Sequence, residues 1–72
     1  MIEITIFPMR SLPDGSATIA ERPIDPEFWD VLVQDDNGEL LDEKEDLETY
    51  GAAEAAVGLF LLKYPDASVD YH

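Results

Sequence analysis

The chain has no cysteine, a single histidine, and only four lysine and arginine residues against seventeen aspartates and glutamates. Each shortage removes a class of answers. Without cysteine no disulfide staples the fold, no thiolate binds zinc or an iron–sulfur cluster, and no cysteine nucleophile exists. The histidine is His72, the last residue, where fraying makes a poor seat for a base that must be held in geometry. Ser11, Ser16 and Ser68 stand in no G-x-S-x-G context. A carboxylate pair is the remaining acid–base device, but among seventeen acids some pairs fall close by chance, so none is singled out. The expectation is a protein with no enzymatic activity and no cofactor.

Long apolar runs are missing too. The longest, Ala55 to Leu62, is far too short to span a bilayer. The start, Met1-Ile2-Glu3, lacks the basic segment of a secretory signal. A formal net charge of −13 is repelled by anionic lipid and by nucleic acid. The reading is a cytoplasmic protein that contacts neither membrane nor nucleic acid directly.

What is present is a normal apolar share, 46% of 72 residues, arranged in patterned runs. That is one small acidic domain spanning residues 1–72, and not a disordered acidic tail. A domain of this size buries only about 60% of its unfolded surface, so its stability is modest. Ile2, Ile4 and Ile6 alternate with Glu3, Thr5 and Phe7, the period of a half-buried strand, which Pro8 is expected to close. Pro13-Asp14-Gly15 is a turn sequence, and Ala17-Thr18-Ile19-Ala20 a short edge strand pairing back onto the first. Phe28 to Gln34 is the clearest strand. Asp35-Asp36-Asn37-Gly38 then predicts a hairpin through Asn-Gly, with both central residues at positive φ, returning over 39–46.

Thr49, preceded by Glu48, suits a helix N-cap. Ala53, Ala56, Val57, Phe60, Leu61 and Tyr64 recur at helical spacing until Pro65. Ala67, Val69 and Tyr71 alternate as a final strand. The class is α+β: a small antiparallel sheet of three to five strands with one helix packed on one face. Trp29, Val31 and Val33 join Ile4, Ile6 and Phe60 in the expected core. Phe7, Leu59 and Leu62 fall off these stripes and are compatible with a second contact surface, on a homodimer or a partner.

Eight of the seventeen acids fall between Asp35 and Glu48, with Lys44 the only counter-charge. Self-repulsion of this size opposes compactness, so another requirement keeps the charge. Asp35-Asp36-Asn37-Gly38-Glu39 resembles a calcium loop, but aligning Gly38 at its sixth position puts Val33 first and Lys44 twelfth, so two decisive ligands are missing. No metal site is expected. On a strand, residues i and i+2 share a face roughly 6.8 Å apart, about twice the axial rise per nucleotide of one DNA strand. Glu43 and Glu45 are read on one face with Leu41 and Leu47, and Asp42 and Asp46 on the other with Lys44. Asp35, Asp36 and Glu39 cluster at the turn, and Glu48 sits at the helix start. Such carboxylates can stand in for phosphates in a basic groove, and these eight residues form the expected partner-binding set. The same acids also suit a solvated edge that guards an exposed strand, or adaptation to concentrated salt.

The stretch Phe28-Trp29-Asp30-Val31-Leu32-Val33-Gln34-Asp35-Asp36-Asn37-Gly38-Glu39 resembles a hairpin of the uracil-DNA glycosylase inhibitor family, acidic DNA mimics of similar size. In size, acidity and lack of catalytic residues the chain is also similar to small phage and mobile-element anti-CRISPR proteins. These resemblances imply an inhibitor that occludes the nucleic-acid-binding surface of a basic protein, with a CRISPR surveillance complex in a bacterial or archaeal host as the favoured target. The alternative is a small acidic structural or interaction domain, halophilic or from a phage, and dimeric in one version.

Overall fold

Period-two alternation in Glu3–Ser11 makes the sheet's central strand, β1, in the computed structural model, which describes residues 1–72. The remaining elements are β2 (Ala17–Ile19), β3 (Phe28–Gln34), β4 (Leu40–Leu47), α1 (Tyr50–Lys63) and β5 (Ser68–Tyr71). The fold is α+β, one five-stranded sheet with the single helix packed on one face. The path β2-β1-β3-β4 is antiparallel throughout, and β5 joins β1 in parallel. Because β3 occupies one edge of β1 along residues 3–9, β5 and β2 share the other, at residues 3–6 and 9–11.

Pro8 does not close the first strand, contrary to the sequence expectation; it lies buried inside it, opposite Trp29. The reason is which edge it faces. Ile2, Ile6 and Pro8 present their carbonyls to Ser68, His72 and Ala20, on the β5/β2 side. The N–H that proline lacks is therefore missing where β5 gives way to β2, and the ladder to β3 is untouched.

One face of the sheet supplies the core. Ile4 and Ile6 stand opposite Val33 and Val31, and all four are buried beneath Ala53, Ala56 and Val57 of the helix. Trp29 and Phe60, expected as core, are half-buried and pack against this cluster from its rim. Trp29 donates its indole N–H to the Tyr71 hydroxyl at 3.3 Å, and the Tyr50 ring completes an aromatic trio 6.2 Å from Trp29 and 5.7 Å from Tyr71. The helix start is fixed as its sequence suggests: Thr49 Oγ1 accepts the Ala52 N–H at 3.0 Å. Thr49→Ala should remove that cap and cost about 1 kcal/mol of stability, read as a lower urea midpoint with unchanged slope.

The β3–β4 turn differs from the primed hairpin expected. Gly38 donates to the Asp35 carbonyl at 3.0 Å, so the central pair is Asp36-Asn37, and neither has positive φ. Only Gly38 takes the left-handed conformation, at φ 78°. This shifts the return strand by one residue, to 40–47, with a register irregularity opposite Val33 and Gln34.

Candidate acidic interaction surface

The eight acids of the 35–48 segment do not act alike. Asp35 is a turn residue: its Oδ1 accepts the N–H groups of Asn37 at 2.9 Å and Glu39 at 3.0 Å. That use of the carboxylate is the hairpin-turn reading of the calcium-like stretch. Asp36 pairs with the Met1 ammonium. Asp42 holds Lys63 Nζ at 3.1 Å through one oxygen and the Glu43 N–H at 3.0 Å through the other. Glu39, Glu43, Glu45, Asp46 and Glu48 are exposed, and their carboxylates make no ion pair.

A second irregularity in β4 changes which residues share a face. Lys44 stands opposite Val31 and Leu47 opposite Trp29, so three steps on β4 match two on β3, and Glu45 and Asp46 both bulge against Asp30. Asp46 carries the strain as the one non-glycine residue with positive φ, 57°, and its N–H is taken by Asp30 Oδ1 at 3.1 Å. Leu47 therefore points to the helix side with Asp42 and Lys44. The expected grouping of Leu47 with Glu43 and Glu45 fails because the bulge adds a residue to the alternation. Glu43 and Glu45 do lie side by side as read from the sequence.

Electrostatics follow from this packing. Burial raises the Asp30 carboxyl above its ordinary range; the Asp46 N–H opposes this, and the charges of Glu45 and Asp46 add to it. Glu45 is raised by the neighbouring charge of Glu43. Asp42 is held below its ordinary range by the hydrogen bond to Lys63, and Asp14 by the Ser16 hydroxyl. A raised carboxyl takes up its proton in the folded state first, so stability rises as pH falls through the raised value. Groups held low contribute stability that is lost as pH falls through their folded pKa. The melting temperature should therefore rise as pH falls from neutral into the carboxylate range, and drop again in stronger acid. Calorimetry across that range should show a shallower rise for Asp30→Asn, which removes one raised carboxyl and keeps an acceptor for Asp46.

β4 is the outer strand of the sheet, and its edge is guarded. The Glu43 N–H points away from β3, and the Asp42 carboxylate already occupies it. Between β4 and α1 runs a groove of about 430 Å³ whose lining includes Asp42, Lys44, Leu47, Ala55, Leu59 and Phe60. The three apolar residues set apart in the sequence do not form one surface. Leu59 and Leu62 stand out from the helix, 68% and 82% exposed, whereas Phe7 is half-buried on the far side of the sheet against His72, ring centroids 5.2 Å apart. Sequence reasoning missed Asp30, because a lone acid inside an apolar strand gives no sign of a bulge opposite it. No helix is long and apolar enough to cross a membrane, and no group of three or more histidine, aspartate or glutamate side chains is placed to hold a metal ion.

Comparison of the chain with protein-family models, curated proteins and solved structures finds no match.

Proposed function

We propose that the protein is a non-enzymatic inhibitor that offers DNA-like negative charge to the nucleic-acid-binding surface of a basic protein. The favoured target is a CRISPR surveillance complex, the inhibitor being of phage or mobile-element origin and acting in the cytoplasm of the host cell. The observation that carries the reading is the set Glu39, Glu43, Glu45, Asp46 and Glu48, exposed and without ion pairs on a hairpin braced by the helix. A carboxylate with no partner in its own fold can meet an outside cation without breaking an internal ion pair. Glu43, Glu45 and Asp46 are held on β4, with Glu39 and Glu48 just beyond its two ends, and such groups can displace the counterions of a basic groove together. The mechanism is occlusion, with no turnover.

Tagged protein should capture a nucleic-acid-binding protein from bacterial lysate, and that protein's own DNA or RNA should compete the complex apart. Affinity should fall steeply between about 50 and about 200 mM salt. A captured partner that binds its nucleic acid and this protein at once would sink the proposal.

The guarded β4 edge favours a second reading. The two irregularities, the Asp42–Glu43 contact and the charges along β4 are devices that keep an outer strand from pairing. In that reading the protein is a small acidic interaction domain, halophilic or from a phage, and Leu59 and Leu62 supply a homodimer contact. A halophilic domain unfolds without concentrated salt, whereas an inhibitor stays folded at about 0.1 M, where the Debye length is near 10 Å.

A further inference from the structure

The helix covers one face of the sheet, and the other face is open. On that face Thr5, Phe7 and Met9 of β1 stand opposite Leu32, Asp30 and Phe28 of β3, and Ile19 of β2 stands beside Met9. Glu43 is opposite Leu32 on the next strand. Phe7, Met9, Ile19, Phe28 and Leu32 are all half-buried, yet none belongs to the core cluster or packs against it. Each is therefore partly exposed. A sheet solvated on one face ordinarily turns polar residues outward there; this one carries five apolar residues around Thr5 and Asp30.

The charged strand residues of this face are of one sign. Asp30, Glu43 and Glu45 run along the β4 side, and Glu3 and Asp70 belong to the same face by register. None of the strand residues on it is a lysine or arginine. Arg10 and Lys44 have the register of the helix side, Lys63 is on the helix, and Arg22 is in the loop after β2. His72 packs against Phe7, and Arg22 lines the same cavity as His72, so the basic side chains at its margin stand at the β2/β5 end, away from the β4 acids.

We propose that this helix-free face is the docking surface for a basic partner protein. An apolar anchor of the partner seats on Phe7, Met9, Phe28 and Leu32, and its lysine or arginine side chains reach Asp30, Glu43 and Glu45. The inference rests on the reading of the protein as a ligand of a basic partner, and adds that the contact is an apolar centre with a charged flank, as interfaces with localised binding energy are built. Charge selects the occupant. Packing this face on a second copy would set Asp30, Glu43, Glu45 and Asp70 against their own equivalents, with no lysine or arginine on the strands of the face.

Two synthetic peptides of equal positive charge test this against the full chain: an oligolysine, and an amphipathic peptide with leucines along one face and arginines along the other. Backbone amide shifts locate the contact. The amphipathic peptide should bind roughly tenfold more tightly than oligolysine at about 150 mM salt, with the largest shifts at Phe7, Met9, Asp30 and Leu32. Leu32→Gln should abolish that advantage and leave oligolysine binding unchanged, whereas Leu59→Gln should alter neither. Met9→Gln serves the same purpose if Leu32→Gln fails to fold. Equal affinity for the two peptides, or shifts confined to the α1–β4 groove, would overturn the docking surface while leaving charge mimicry standing. A dimer in high salt that protects Phe7 and Leu32 would overturn it in favour of self-association. If oligolysine fails to bind even at about 20 mM salt, the acidic surface has no affinity for basic groups, and the broader function falls with the docking surface.

Discussion

Replacing Ile4 by alanine should lower stability by about 2–5 kcal/mol, close to everything a domain of this size possesses. Ile4 is fully buried on the central strand, between Val33 on β3 and Val69 on β5 and within the cluster that includes Ala53, Ala56 and Val57. Truncation removes three carbons from a position where both neighbours of β1 and the helix converge. Little can collapse into the gap, because the neighbours are small and pinned in register. Urea unfolding followed by tryptophan fluorescence reports it directly, since Trp29 packs against the same cluster. Phe60→Ala should cost less than the fully buried case, because Phe60 sits half-buried at the rim. Leu62→Ala, at an 82% exposed position, should leave the midpoint where it was. An Ile4→Ala protein as stable as the parent would mean that the core lies elsewhere.

The second large effect is on binding. Reversing Glu39, Glu43, Glu45 and Glu48 to lysine together should weaken the complex with a nucleic-acid-binding partner by several kcal/mol and abolish its steep salt dependence. The choice of four matters. Asp35 and Asp42 look equally acidic in sequence, but one caps the turn and the other holds Lys63 and the Glu43 N–H. Reversing those would test the fold as much as the interface. The four glutamates hold no ion pair, so the variant should keep its circular dichroism spectrum while isothermal titration shows the loss. Neutralising Glu45 alone should change affinity little, because single exposed charges are worth at most about 1 kcal/mol. A fourfold variant that binds as tightly as the parent would move the interface off the hairpin.

Local signals made most of the fold legible. The isoleucine alternation, the Phe28–Gln34 run and the Thr49 cap each act within a few residues, and each marks the element those residues predict, although the first strand runs past Pro8 to Ser11. What sequence could not supply was edge and register. Pro8 ends a ladder only on the edge it faces, and that edge is decided by β5 and β2, which come from elsewhere in the chain. The bulge opposite Asp30 adds a residue without any glycine to announce it, and so moves Leu47 to the other face. The turn differed for a similar reason: Asn37-Gly38 permits two positive φ values, but the Asp35 carboxylate stabilises a turn that needs only one. The acidity of the candidate site was plain from composition. The division of its acids between structural and unpaired roles depends on Lys63 and the Met1 ammonium, each more than twenty positions from its partner. The open apolar face was half visible in Phe7, but Phe28 and Leu32 read as ordinary members of a strand until β1 was set beside them.

The parallel pairing of β5 with β1 has a consequence for the order of biosynthesis. Residues 3–6, at the middle of the sheet, are made first, and residues 68–71, which complete one flank of it, are made more than sixty residues later. A ribosome therefore releases the central strand long before its last neighbour exists, and in that interval the β5 side of Ile4 and Ile6 is unpaired. Pairings so distant along the chain close slowly, and a nascent chain in this state exposes an unpaired apolar strand. The dense negative charge of the intervening hairpin would then serve a purpose before the protein has any partner: copies emerging from neighbouring ribosomes repel one another until each has closed its own sheet.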